Sequence, residues 1–398
     1  MNDDELQVLG RGTAPRSRRK WFVWGAIIIA LALMALLIWR FNKSDIEIQD
    51  GRAKIGSTLN DDLRRVTTGL LTRKLTDLNG LQGQVIIMEV QTGAIKAMVG
   101  LERKYDGSYE PCNNFGYWQE PGQTASTAVL LALLETEEVK LSDEVDVEEG
   151  IWALDVRNTI RDHNWKRGGY GVINMEQALE ASSNIAFAKM VNKVFMGKEQ
   201  DFFDMLDKMS YGQPDYIEGF PSMRPSLYTS PNDSTWTRKL LLWNAIGYDR
   251  TIAPIQTLTF YNAIANGGKM VKPTLREGET EIINEQIASK ENISEIQEAL
   301  YHVVTEGLAK PAETHLVEVA GKMGDAQVRS LYDSPDSESS EYHLSFCGYF
   351  PASAPKYSII ISFNKMGLPA SGGQMAGSVF HDIVEWMVHH GWINEDNK

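Results

Sequence analysis

Acyl transfer by a serine needs the hydroxyl held against a base, commonly an amine or imidazole. Ser353-Ala354-Pro355-Lys356 has the Ser-x-x-Lys spacing that sets an amine one helical turn beyond a hydroxyl. The proline makes it a surface turn between strands rather than a helix. Ser17-Arg18-Arg19-Lys20 repeats the spacing inside a basic N-terminal tail. Ser182 with Lys322 forms a third Ser–Lys combination if both face one cleft; the alternative is a structural contact. Ser182 stands in Ala181-Ser182-Ser183-Asn184 and Lys322 in Gly321-Lys322-Met323-Gly324-Asp325-Ala326. His389-His390 ends a helical run and has no further ligands at zinc spacing, so no metal and no cofactor is expected. His163, in Asp162-His163-Asn164, either orders a loop or faces solvent.

The elements that must hold these residues follow from periodicity. Trp118 to Ser126 leads through a Pro121-Gly122 turn into an uncharged apolar run ending at Leu134, which reads as a short helix buried all round. Only its first turn, Gln123 to Ser126, is polar and suited to a cleft wall. Asp61–Leu81 is an amphipathic helix, and Gln84–Val99 a hairpin about Thr92-Gly93. Leu130–Ser210 reads as mostly helical with a loop at Arg161–Gly171. Residues 211–240 read as a long surface loop. Helices follow at Ile252–Asn266, Ile293–Glu306 and Phe380–His389, with strands at Val317–Ala320, Ser345–Phe350 and Tyr357–Phe363 and an acidic loop at Asp333–Glu341. Lys322 then falls at a strand end. Strands at both ends of the chain with helices between them imply one α+β sheet assembled from distant segments.

Residues 21–39 carry no charge, and nineteen helical residues at about 1.5 Å each span roughly 28 Å, enough for a bilayer core. Trp21, Trp24 and Trp39 flank that run, five basic residues precede it, and no small-x-small cleavage site follows. An uncleaved anchor with the C-terminal side outward is therefore expected, in preference to a signal peptide. The layout is a cytoplasmic tail over 1–20, an anchor over 21–39, a stalk over 40–57, one large domain over 58–390 and a tail over 391–398. The chain carries −14, and residues 1–43 hold seven Lys/Arg against three Asp/Glu, which leaves −18 outside. That excess argues against nucleic acid as a partner. Cys112 and Cys347 form either one bridge or two separate buried thiols.

Glu120-Pro121-Gly122-Gln123, Ser182-Ser183-Asn184 and Lys322-Met323-Gly324 fall in an order that resembles the transpeptidase domain of penicillin-binding proteins. That family has Ser-x-x-Lys after Glu-Pro-Gly, then Ser-x-Asn, then Lys-Thr-Gly. Gly83–Met98, Gly171–Asn184, Asn244-Ala245-Ile246-Gly247-Tyr248, Ala253–Thr257 and Phe346-Cys347-Gly348-Tyr349-Phe350-Pro351 resemble further family segments. The resemblance spans roughly residues 58–388. It implies a central antiparallel sheet flanked by helices, with an all-helical subdomain, behind one transmembrane helix. It places Cys112 and Cys347 in neighbouring regions of that sheet. It also implies a bacterial cytoplasmic membrane, an outward domain, stem peptides as ligand, and wall or division proteins as partners. The stalk leaves no room for the large non-catalytic module that anchored members carry.

The chemistry does not carry over. Gln123 stands at the nucleophile position and a carboxamide is no nucleophile. Ser126 stands at the general-base position. Met323 replaces a threonine that helps hold the substrate carboxylate, and Asp325, if it faces the cleft, repels that carboxylate. Ser182, Asn184, Lys322 and Gly324 are retained. Loss of the nucleophile in an analogous serine enzyme costs about 10⁶ in rate. The expectation is a catalytically inactive binding or scaffolding protein of peptidoglycan synthesis or division. The alternatives are an active D,D-transpeptidase or carboxypeptidase using Ser182 or Ser126, and a non-covalent sensor of stem peptides.

Overall fold

The computed structural model describes residues 57–156, 158–220, 223–328 and 340–393. The expected anchor at 21–39, the N-terminal tail with Ser17–Lys20, the stalk up to residue 56 and residues 394–398 of the C-terminal tail lie outside them. No helix among the described residues is long and apolar enough to cross a membrane.

Helix α1 (Asp61–Leu78) starts where the Asn60 side chain accepts from Leu63 N–H at 2.8 Å, with Asp61 and Asp62 in the favourable first turn. It ends at Asn79, whose left-handed φ of 51° stops it short of Leu81. Strands β1 (Gln82–Glu89) and β2 (Ile95–Arg103) form the hairpin, and β3 (Tyr109–Pro111) adds to β2. After a 3₁₀ turn over Gly122–Ala125 comes helix α2 (Ser126–Leu134), every residue of which is buried.

The segment expected to continue as helix does not. Short strands β4 (Glu144–Asp146), β5 (Ile151–Ala153), β6 (Thr159–Arg161) and β7 (Val172–Asn174) pair as β4–β7 and β5–β6. The subdomain is therefore not all helical. Glycines with positive φ at 150, 168, 169 and 171 break the helical pattern there. Helices α3 (Met175–Glu180), α4 (Asn184–Phe195), α5 (Glu199–Lys208) and α6 (Arg238–Ala245) follow. The connection before α6 is not merely surface, because Tyr211, Ile217 and Phe220 are buried.

Helix α7 (Pro254–Ala265) is buried along its whole length. The hairpin of β8 (Met270–Val271) and β9 (Ile282–Asn284) then leads to α8 (Lys290–Thr305). Strands β10 (Ala320–Val328), β11 (Glu341–Phe350) and β12 (Tyr357–Met366) precede α9 (Gly372–His389). The main sheet has the order β10-β11-β12-β1-β2-β3 and is antiparallel throughout. Helix α7 packs on β11 and β12, while α1 and α9 pack on one another and on the sheet. Both faces of β1, β11 and β12 are covered, which is why these strands read as apolar runs.

Two expectations change at the sheet. Strand β10 begins at Ala320 instead of ending there, so Lys322 and Asp325 sit in mid-strand. Both cysteines are free. Cys347 lies on β11 and Cys112 just after β3, at the far end of the strand order. Strands about 4.8 Å apart put them far beyond the roughly 7 Å limit for a disulfide.

Candidate functional site

Three segments meet along the free edge of β10. The first is the turn at Gly122–Ser126. Gly122 N–H donates to Gly247 O at 3.1 Å, and a Cβ on Gly247 would fall 1.9 Å from Gly122 O, so only glycine permits the approach. Glu120 Oε1 accepts from Asp249 N–H at 2.8 Å. Tyr261, buried in α7, donates to Thr124 O at 2.8 Å and meets Thr127 Oγ1 at 2.7 Å. These ties fix the entry to α2. Ser126 is 3% exposed, and its hydroxyl donates to Gln123 O at 2.6 Å. The hydroxyl at the base position is thus absorbed into its own helix turn.

The second segment is the α3–α4 junction. A capping box at Asn174 and Gln177 starts α3, and Ser183 caps α4 by accepting from Ala186 N–H at 3.2 Å. Asp162 is 1% exposed and accepts from Ser183 Oγ at 2.7 Å and Ile185 N–H at 3.0 Å. Burial holds its pKa above the ordinary aspartate value, although these donors and Asn184 N–H oppose the shift. His163 is exposed, as one of its two expected placements had it, and meets Tyr170 Oη at 3.2 Å; partial desolvation, then Arg167 and Lys322, lower its pKa. Asn184 Nδ2 donates to Arg161 O at 3.0 Å. Between the helices Ser182 adopts φ 53°, a left-handed conformation costly for a residue with a Cβ.

The third segment is β10 itself. Strand alternation sends Lys322 and Gly324 to one face and Met323 and Asp325 to the other. Lys322 is fully buried, and its Nζ donates to Ser182 Oγ and, at 3.3 Å, to Met323 O. Burial pushes its pKa down to about 7, only partly opposed by Asp325. The Met323 sulfur lies against Gly373, and the Asp325 carboxylate accepts from Gly372 N–H at the start of α9. Asp325 is therefore turned towards α9. Burial pushes its pKa up to about 6 against the pull of the Gly372 N–H and Lys322.

Gln123 joins all three segments. Its Oε1 accepts from Asp325 N–H at 2.8 Å, and its Nε2 lies 3.4 Å from Asn184 Oδ1. Position 123 thus presents neither a hydroxyl nor a neighbouring free amine. The geometry brings Gln123, Ser182, Asn184 and Lys322 together with the Asp325 backbone. Sequence reasoning gave no role to Asp162 or Gly372. A carboxylate directly before a histidine drew attention to the histidine, and a backbone N–H carries no sequence signal.

The remaining candidates lie elsewhere. Ser353 to Lys356 falls in the turn between β11 and β12. His390 stacks on Trp386 with ring centroids 4.0 Å apart. Among the described residues, Glu176, Glu180 and His302 present ligand atoms within 4.8 Å of one another, a spacing compatible with a metal ion. His302 meets Glu176 Oε1 at 2.7 Å, and that bond raises its pKa. This group joins α3 to α8, away from the three motifs.

Residues 83–385 match the family model described as the penicillin binding protein transpeptidase domain. The stage V sporulation protein D of Bacillus subtilis is 27% identical over 68% of this chain and 42% of its own length. The peptidoglycan D,D-transpeptidase MrdA of Acinetobacter baumannii is 27% identical over 54% and 35%. The chain therefore spans less than half the length of these two relatives. Among solved structures, the transpeptidase domain of Burkholderia pseudomallei penicillin-binding protein 3 superimposes with a TM-score of 0.71 at 21% identity, covering 84% of this chain and 96% of that one. A Burkholderia ambifaria peptidoglycan glycosyltransferase gives 0.70 at 22%, covering 84% and 98%. At such identity the superpositions speak to fold alone.

Proposed function

The chain belongs to the penicillin-binding-protein transpeptidase family, and from that premise we propose that it is a member that has lost acyl transfer and retained the cleft as a binding or scaffolding surface. It serves bacterial peptidoglycan synthesis or cell division; the relative MrdA is named a peptidoglycan D,D-transpeptidase. It is held at the cytoplasmic membrane by residues 21–39, with residues 58–390 outside as one domain and 40–57 as a stalk. Its partners are wall or division proteins, and stem peptides are the ligand class the cleft descends from.

The observation that carries this reading is Gln123. Where an acylated serine must stand, a carboxamide is hydrogen-bonded to Asp325 N–H, and Ser126 is tied to Gln123 O. Neither position holds a nucleophile with its base, and these two act as a unit. The test is intact-protein mass spectrometry after incubation with a penicillin. The wild-type mass should stay unchanged. A stoichiometric increase equal to the drug, abolished by Ser182→Ala or Ser126→Ala, overturns the reading and names the nucleophile.

One contact favours a second reading, an acyl-transfer enzyme built on Ser182. Lys322, with its pKa near 7, donates to the Ser182 hydroxyl, and a neutral amine there meets the requirement for a general base. Against it stands access. Ser182 is 6% exposed and Lys322 fully buried, and the nearby edge N–H of Asp325 is taken by Gln123. The Ser182→Ala arm of the same experiment separates the two readings.

A further inference from the structure

Among the described residues strand β10 is the end of the sheet, and the backbone groups on its outer side have no strand partner there. Such an edge accepts an added peptide strand unless something covers it. Here the covering comes from within the chain. Asp325 N–H donates to Gln123 Oε1 at 2.8 Å, and two residues on, Gln327 N–H donates to Tyr248 Oη at 3.3 Å. The spacing of two is that of successive outward amides on a strand. Pro121 and Gly122 press against the same edge. A Cβ on Gly324 would fall 2.7 Å from Pro121 O, and one on Gly122 2.5 Å from Asp325 O.

The Gln123 carboxamide does more than fill space. Its carbonyl takes a backbone N–H, and its NH₂ faces the Asn184 side-chain oxygen at 3.4 Å. A ligand amide entering this cleft would present the same two groups to the same two partners. The turn at Pro121–Gly122, tied to Gly247 and Asp249, holds the carboxamide there. We propose that Gln123 is an internal pseudo-ligand. It occupies the amide-binding position on the β10 edge and keeps the cleft closed to amide and peptide ligands until its side chain swings out. The proposal rests on the inactive-member reading for the ancestry of the cleft. It fails separately, because it concerns non-covalent occupancy and not acylation.

The test uses amide hydrogen exchange and ¹⁵N–¹H chemical shifts of Asp325 in the wild type, Gln123→Ala and Gln123→Met, with acetamide as the probe. In the wild type, Asp325 N–H should be protected and its shift should not respond to acetamide. In Gln123→Ala its exchange should speed up about tenfold, the factor set by a hydrogen bond worth about 1.4 kcal/mol. Acetamide should then shift the resonance saturably and restore protection. Gln123→Met fills the space without an acceptor, so exchange should speed up while acetamide has no effect. An acetamide response in the wild type equal to that of Gln123→Ala overturns the proposal, as does a Gln123→Ala protein with unchanged protection. If Gln123→Ala does not fold, the wild type still decides: an unprotected Asp325 N–H that responds to acetamide sinks it. A penicillin adduct on the wild type would sink the inactive-member reading and leave these measurements standing.

Discussion

At the scale of single residues, Lys322 has a measurable consequence. Its amine is fully buried, and burial brings its pKa from 10.5 to about 7. The unfolded chain keeps that proton up to its ordinary value. Between about pH 7 and 10.5 the unfolded state therefore binds more protons, and stability rises with pH across that window. Below pH 7 the folded protein must bury a charged amine, and this contribution to stability is at its lowest. Replacing the amine in Lys322→Met should raise stability at pH 6.5 and flatten the alkaline rise, by about 2–4 kcal/mol in the difference between pH 6.5 and 9.5. Urea midpoints at the two pH values give the answer, and parallel pH profiles for the two proteins would sink the claim. Catalytic restoration is also a matter of single positions. Gln123→Ser alone should give no penicillin adduct, since no base accompanies the hydroxyl. Gln123→Ser with Ser126→Lys should give a slow one, limited by the burial of position 126. Mass spectrometry reads both, and an adduct on the single variant would show that Lys322 or another group already serves as base.

At the scale of elements, the cleft depends on the α3–α4 junction, which Asp162 pins from the β6 side. Asp162→Ala leaves Ser183 Oγ and Ile185 N–H without their acceptor. It also removes a carboxylate whose burial is itself costly. The net loss should be about 1–3 kcal/mol, with Asp162→Asn nearer the lower figure. Urea unfolding with an unchanged slope checks this, and a loss under about 0.5 kcal/mol would remove Asp162 from its positioning role. The same elements show what could be read in advance. Strands β1 and β12 announce themselves as apolar runs because both faces are covered, and α2 does so because no side of it meets water. Strand β10 does not, because Gly321, Lys322, Gly324 and Asp325 are poor strand formers; pairing with β11 overrides them. Residues 135–174 mislead in the other direction, since three-residue strands are too short to show a period. The residue types at positions 123, 126, 182, 184 and 322–325 mark the cleft from sequence. The contact of Gln123 with Asp325 does not, because it joins a side chain to a backbone N–H 202 residues away.

At the scale of the whole molecule, the chain closes its sheet by pairing β1 with β12, so an early hairpin and the last strand share one ladder. On the proposed topology, in which residues 21–39 anchor the chain, this unit lies outside the membrane. A periplasmic-type reporter fused after Lys398 should be active, and activity of a cytoplasmic-only reporter there would reverse the topology. The sheet order also decides the thiols. Cys112 and Cys347 are separated by β12, β1 and β2, too far to bridge even in an oxidising compartment, where a closer pair would be oxidised. Their reactivity should differ. Cys347 is fully buried between β10 and β12, and burial raises its pKa well above the ordinary thiol value. Cys112 is half-buried, and burial followed by Glu102 pushes its pKa to about 11. At neutral pH both are thiols rather than thiolates, so neither is a good nucleophile. Native protein exposed to iodoacetamide near pH 7.5 should gain at most one label, slowly and at Cys112. After unfolding without reductant it should gain two. If no label appears until a reductant is added and two appear then, the two cysteines are bridged and the strand order β10-β11-β12-β1-β2-β3 is wrong.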